Sequence, residues 1–539
     1  MLHPPIPREA LRWNRLPSKA EIAQTRLVIQ DEESQISRYE EEIGRRNGLF
    51  RTEVLEMEKA VLNRKIEERR SWLAPIRRLP HEVLEVILRD VCLPADYSLK
   101  VTDSGTQITC TPFLLSQVST YWRAVVKSCP TLWHSISVDI YNLQRDITPL
   151  LTAYLDNARG TPLKLQIIDP NQDDAEHFGK FAIPSLYLGR NGHKVFQVLV
   201  RCIPRCQELD LQIDSDMLNG LKPSLDSGYS FPLLRSFRDN TITWSVRPES
   251  LWFWESIRNA SALTELVTSS PEILSTFPCH QLTTVTFGHI TTTQLYDFLS
   301  NSQNLKSLTV QILNHTDGAL GLLPYHTTVL PHLSSVVLTH CFCLNKLDKL
   351  FNAITLPALT RLTLSEDGRG DTESWDITSF LSLLSRSSCP LQDFAIHFWG
   401  SVVHPHLLAD ILREVPHLQT LVLIVNRDVV HEVPCFDLFL NGLFEQLIIE
   451  PGKPILSPRL SSLHVAGNSR DRSPVLTPKT GNILVQMAQS RSRMGLVDRG
   501  LMGLVSALDD LQLSFALGSA MARLQALEGQ GMRIVSAWD

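Results

Sequence analysis

Clusters of histidine, cysteine and carboxylate would be the first sign of chemistry, and this chain has few. His340-Cys341-Phe342-Cys343 places three potential metal ligands close together. Yet Cys341 and Cys343 follow directly on the run Ser334-Ser335-Val336-Val337-Leu338, where alternate residues enter a core, so buried thiols are expected and no metal. His81-Glu82 and His431-Glu432 lack the second histidine four residues on, and neither makes a metalloprotease pair. Arg369-Gly370-Asp371 lies in a charged loop, and Cys202 and Cys206 flank Pro204 as buried thiols. No phosphate-cradling glycine loop and no nucleophile elbow is present. No two carboxylates share a context that marks them as acid and base. The expectation is therefore no catalytic residue, no metal and no cofactor.

Bulk properties narrow the class further. The chain has 539 residues and a formal charge of −6, with both signs interspersed. No Lys/Arg cluster is dense enough for a nucleic-acid footprint, and no nucleic-acid partner is expected. No apolar run approaches the roughly 18 residues of a membrane span. The N-terminus lacks an apolar leader core, and the ten cysteines are scattered. A reducing compartment, cytoplasm or nucleus, is the expectation.

The most specific segment runs from Leu73 to Ile136. Leu79-Pro80 opens an apolar helix, with Pro80 at a first-turn position where its missing N–H costs nothing. Val83, Ile87 and Val91 recur at helical spacing with Leu84 and Leu88 beside them, ending near Cys92-Leu93-Pro94. A second run from Pro112 carries Leu114, Leu115, Val118, Trp122, Val125 and Val126. Between them, residues 93–111 contain Asp103-Ser104-Gly105 and read as a solvated insertion. So small a module cannot bury all this apolar surface by itself; a partner or a neighbouring domain is implied.

The ordered set Leu79-Pro80, Gln117-Val118, Trp122-Arg123 and Leu132-Trp133 resembles an F-box, the helical module that docks onto the Skp-type adaptor of cullin–RING ubiquitin ligases. The resemblance implies adaptor contacts from Leu79, Pro80, Leu84, Ile87, Leu114, Val118 and Trp122. Trp122 and Trp133 are expected to anchor the module to the body of the chain beyond it, with Ser135 to Ile140 pairing as a strand.

Upstream, Ile22, Ile29, Ile36, Ile43, Phe50 and Met57 fall seven residues apart, one seam of a coiled coil. The companion seam, Thr25, Glu32, Tyr39, Arg46, Glu53 and Ala60, is poor, and Gly44 and Gly48 weaken the middle. Two readings stay open: a weak homodimer, or one or two helices leaning on the body. Fungal F-box proteins of the kind this chain resembles often carry such a helix.

Downstream an irregular repeat emerges. LTELV at Leu263, LTTVTF at Leu282, LKSLTV at Leu305, LSSVVL at Leu333, LTRLTL at Leu359, LQDFAI at Leu391, LQTLVL at Leu418 and LSSLHV at Leu460 share one pattern. Their steps are roughly 19 to 42 residues, with degenerate copies at Cys206 and Phe231. The phrases resemble the strand part of leucine-rich repeats, which stack into a curved array with the strands on one face. Outward positions on three strands, Ser307, Thr309, Gln311, Thr363, Ser365, Asp393 and Ala395, make a candidate recognition face. Arg361, His397 and Trp399 are its first candidates for substrate contact.

The expected class is α/β: a long N-terminal helix, a small all-helical F-box, then an irregular leucine-rich-repeat-like solenoid of parallel strands and helices. The expected divisions are a disordered 1–19, a heptad helix 20–72, the F-box 73–136 and the repeat domain 137–539 with a mobile loop at 466–481. The resemblance implies the substrate-recognition subunit of a Skp–cullin–F-box ubiquitin ligase, itself non-catalytic, with an unknown protein substrate and no membrane. The alternative is an interaction scaffold that uses the F-box and coiled coil without ubiquitin transfer.

Overall fold

A computed structural model of the chain describes residues 16–45, 52–92, 96–169, 188–213, 230–239, 251–269, 278–314, 327–341, 344–366, 375–398, 405–426, 433–468, 476–515, 517 and 520–536. It divides into two compact units, Met1–Gln207 and Glu208–Asp539. The chain is α/β, with long N-terminal helices and largely parallel strands interleaved with helices.

The first unit opens with α1 (Lys19–Arg45) and α2 (Thr52–Leu73). Ser18 and Glu21 start α1 as a reciprocal cap, each side chain bonded to the other's backbone N–H. The expected disorder of residues 1–19 falls mostly outside the described residues, and Lys19 already belongs to α1.

The two helices lie antiparallel. Glu32 pairs with Arg69, Glu33 with Arg70 and Glu40 with Lys59, so the pairing runs in opposite directions along the chain. Along α1 the buried residues are Val28 and Glu32, while Ile22, Ile29, Ile36 and Ile43 of the heptad stripe are half-buried. On α2 the buried positions are Leu62, Ile66, Arg69 and Trp72, while Met57 is 68% exposed. The seven-residue series therefore does not continue past Ile43 as one seam; Phe50 lies outside the described residues. The poor companion seam has its explanation in Glu32, which is buried and takes a two-pronged bond from Arg69 at 2.9 and 3.1 Å. Removing one partner of a buried pair typically costs about 3–5 kcal/mol, because the other charge is stranded. Arg69→Met is expected to speed amide exchange across 19–73, and Glu32→Leu with Arg69→Leu to restore most of the protection. Unchanged exchange in the single variant would show that the pair does not hold the hairpin.

The unit continues with α3 (His81–Cys92), β1 (Leu99–Thr102), β2 (Gln107–Cys110), α4 (Thr111–Ser116), α5 (Thr120–Ser128), β3 (Ser135–Asp139), α6 (Thr148–Ala158), β4 (Leu163–Ile168) and α7 (Gly189–Val200). The expected solvated insertion is in fact a β-hairpin. Thr102 pairs with Gln107 across a turn in which Asp103, Ser104 and Gly105 all have positive φ. Strand β1 also pairs with β3, in parallel, and buries Leu99 and Val101. The strands of this unit run β4-β3-β1-β2. The second apolar run is likewise not one helix. It breaks at Ser119, whose hydroxyl accepts from the Trp122 N–H and starts α5.

The second unit carries β5 (Cys206–Gln212), β6 (Ser236–Asp239), β7 (Glu265–Thr268), β8 (Thr284–Thr291), β9 (Ser307–Asn314), β10 (Thr328–Val329), β11 (Ser335–Cys341), β12 (Ile354–Thr355), β13 (Arg361–Glu366), β14 (Asp393–Phe398), β15 (Thr420–Asn426), β16 (Ser462–Asn468), β17 (Asp510–Ser514) and β18 (Arg533–Ser536). Apart from β10 and β12, which pair with each other, each strand lies parallel to the next in sequence order. From Leu263 to Leu460, each repeated phrase becomes a strand that begins two residues after its first leucine. Those first leucines are all buried. A further copy, Leu508-Asp509-Asp510-Leu511-Gln512-Leu513, forms β17.

The expected mobile loop at 466–481 is mostly structured at its two ends. Ala466 to Asn468 complete β16, and Pro478–Arg491 is a helix capped by the Thr477 hydroxyl. Residues 469–475 lie outside the described residues.

Candidate functional site

Helix α3 carries two adjacent apolar stripes, and packing chooses between them. Leu84, Leu88 and Cys92 point inward. Val83, Val86, Ile87 and Val91 are left in solvent, at 37–53% exposure. Helix α3 rests on α5: the Tyr121 hydroxyl donates to the Leu79 carbonyl at 3.2 Å, and Cys129 contacts Glu85 at 3.2 Å. Helix α4 is held against α5 by Arg123, whose Nε donates to the Ser116 carbonyl at 3.1 Å. That arrangement turns Phe113 and Leu114 outward, together with Val118 in the link to α5. These large apolar side chains stay largely uncovered among the described residues, yet Val125, Val126 and Leu132 complete the core beneath them.

The adaptor candidates therefore separate. Ile87, Leu114 and Val118 lie on the exposed face. Pro80 is exposed and Leu79 half-buried at the start of α3. Leu84 is completely buried, a core residue. Trp122 is only half-buried. Val83, Val86, Val91 and Phe113 are exposed as well but were not among the adaptor candidates. Their signal was present in the doubled apolar stripe, which is wider than one buried face needs.

Of Trp122 and Trp133, Trp133 is the buried one. Its indole N–H donates to the Val126 carbonyl at 2.8 Å, and its ring meets Tyr154 of α6 edge-on at 5.3 Å. It therefore ties α5 to α6, and the strand after it, β3, is buried along its whole length and pairs with β4. Truncating a buried tryptophan typically costs about 3–5 kcal/mol. Trp133→Ala is expected to expose the segment from Trp133 to Leu143 to limited proteolysis, which the parent should resist. Ready cleavage of the parent there would contradict a rigid join.

On the second unit, Arg361 begins β13 beside Asp393 of β14, and His397 lies four residues further on, opposite Ser365. Arg361 is exposed and His397 half-buried. Ser365, expected to face outward, is buried, with its hydroxyl turned to the Glu366 carbonyl. Trp399 lies outside the described residues. Burial, and secondarily the charge of His464, hold the His397 imidazole below its usual range. Burial does the same at His464, against the opposing pull of Asp510, and at His289.

A histidine lowered on folding binds fewer protons folded than unfolded. Its stabilisation is complete above the unfolded value near 6.5 and is lost as pH falls below that. Tm is therefore expected to drop between about pH 7 and pH 5.5, less steeply in a His397→Asn, His464→Asn variant. An identical slope in the variant would remove these two histidines from the effect.

Among the described residues, no group of three or more His, Cys, Asp or Glu could hold a metal ion. Burial raises the cysteines at 92, 110, 129, 202, 206, 279 and 389 above the usual thiol range. Such thiols are poor nucleophiles. Among the described residues no helix is long and apolar enough to cross a membrane. No protein-family model matches the chain, and no curated protein is similar to it.

Proposed function

We propose that the chain is the substrate-recognition subunit of a Skp–cullin–F-box type ubiquitin ligase. The observation that carries this reading is the uncovered apolar surface of α3 and α4. Val83, Val86, Ile87, Val91, Phe113, Leu114 and Val118 are all 37–61% exposed above a filled core. Large apolar side chains left exposed on folded helices are what a partner's surface buries. Here α3, α4 and α5 form the F-box, with the β1–β2 hairpin inserted between the first two. The second unit is read as an irregular leucine-rich-repeat-like solenoid whose outward strand positions, Arg361 and His397 among them, meet the substrate. Such a subunit makes and breaks no bond. It raises the effective concentration of substrate beside the ubiquitin-charged enzyme and orients it there.

The test is reconstitution. Mixed with a recombinant Skp-type adaptor, the chain should elute as a one-to-one complex. With cullin, RING protein and charged conjugating enzyme added, it should direct ubiquitin onto proteins captured from cells under proteasome inhibition. No adaptor complex would end the reading. A complex without transfer to any captured protein would leave the non-catalytic scaffold in its place.

A further inference from the structure

A cavity of about 450 Å³ lies between α4, α5 and α6, on the side of α5 that carries Arg123 and Lys127. That volume is within the range of small-ligand sites, which are apolar pockets with a few convergent polar groups. Phe113, Trp133, Tyr154, Leu150 and Ala153 supply the apolar wall. The polar atoms of the two inner aromatics are already engaged: Trp133 Nε1 on the Val126 carbonyl, and the Tyr154 hydroxyl on Ser98 and the Ser135 carbonyl. They turn only carbon surface toward the cavity.

The charge of the lining is one-sided. Among the described residues, Arg123 and Lys127 both line it and no carboxylate does. They stand four residues apart on α5, where like charges repel and destabilise the helix. The hydrogen bond of Arg123 uses Nε, which fixes the plane of the guanidinium and leaves both terminal nitrogens without an acceptor among the described residues. Lys127 likewise makes no hydrogen bond or ion pair with a described residue. A fixed guanidinium and an ammonium beside aromatic walls form a receptor for an anion with a flat apolar body.

We propose that this cavity binds a small organic anion, a ring system carrying one phosphate or carboxylate. The site uses neither α3 nor Leu114 and Val118, and shares only Phe113 with the surface assigned to the adaptor. The cations hold the charged group at the mouth, and the ring lies against Trp133, Tyr154 and Phe113.

The test uses the full chain and four probes, 1-naphthyl phosphate, 1-naphthoate, 1-naphthol and inorganic phosphate, titrated by calorimetry and ligand-observed NMR. At least one of the two naphthyl anions should bind one-to-one, tenfold or more tighter than either naphthol or inorganic phosphate, and more weakly as salt rises. The naphthyl anion that binds better gives the preferred charged group. Lys127→Gln should weaken it several-fold, and Arg123→Gln with Lys127→Gln at least tenfold. Ala153→Trp, which fills the cavity without touching charge, should abolish binding while the circular dichroism spectrum is kept. Naphthol binding as tightly as both anions, undiminished binding in Lys127→Gln, or no saturable binding of either anion would overturn the proposal.

Discussion

The Leu114→Asp, Val118→Asp double variant is expected to lose its Skp-type adaptor by a factor of about 100 or more, with little change in folding. The two side chains are 60% and 61% exposed, so neither contributes much to the core. Surface substitutions of that kind usually stay within about 0.5 kcal/mol of the parent. At an interface the same residues count differently. Burying a leucine or valine side chain is worth about 1.5–3 kcal/mol, and a carboxylate in its place is buried without a partner. Two such losses, about 3–6 kcal/mol together, correspond to roughly 100- to 10,000-fold in affinity. The measurement is a binding titration beside a thermal melt. Leu84→Ala is the control with the opposite signature, because that side chain is wholly buried. It should lower Tm, by the roughly 2–5 kcal/mol typical of a core truncation, before it affects binding. Undiminished adaptor binding by the double variant would move the docking surface off α4.

The second large effect is expected at Arg491, whose side chain is buried completely and meets no carboxylate among the described residues. Its guanidinium donates to three backbone carbonyls, Leu447 and Leu456 at 2.7 Å and Ser457 at 3.4 Å. Leu447 ends the helix Val433–Leu447, where a cation satisfies carbonyls that have no partner within the helix. Arg491 itself ends the helix Pro478–Arg491, and its own carbonyl accepts from Leu508. One side chain thus clamps two helix ends and the connection between them. Burial pulls its pKa down to about 10, a sign that the charge is held at a cost.

Arg491→Met removes that cost but strands the carbonyls, each worth about 1–3 kcal/mol when buried and unsatisfied. Three stranded acceptors outweigh the gain, and a net loss of several kcal/mol is expected, seen as a lower Tm. Amide exchange should rise first between Ile448 and Ser457. Arg491→Lys should recover little, because an ammonium cannot present the planar fork that reaches three carbonyls. A Met variant as stable as the parent would mean that the segment relaxes to hydrate its own carbonyls.

Much of the second unit was legible in sequence. A strand buried on one side writes its pattern locally, as apolar residues two apart, and the leading leucine of each phrase recurs wherever a parallel neighbour must be packed. The copy at Leu508 carries the same local pattern, but it lies farther from its predecessor at Leu460 than any other copy does, which hides it from a search by spacing.

The exposed face of α3 was legible only as an excess. Val83 and Leu84 are neighbours in sequence and similar in kind, and helical spacing alone does not say which stripe faces in. The packing of α5 beneath Leu84 and Leu88 decides it, and α5 comes later in the chain, after an inserted hairpin.

Sequence by itself determined the α/β class of the chain, the starts of the strands in the phrases from Leu263 to Leu460, and that more apolar surface exists near Leu79 than one small module can bury. Those properties depend on residues a few positions apart. Tertiary structure alone decided that α1 lies antiparallel to α2 of the same chain, with Glu32 meeting Arg69 between them. It also decided that residues 99–110 join β3, that Leu84 is core while Ile87 is surface, and that Arg491 closes on three carbonyls. It alone set Arg123 and Lys127 over an aromatic cavity. Each of these rests on a partner distant in the chain, and a partner chosen by packing leaves no periodic trace in the residues that wait for it.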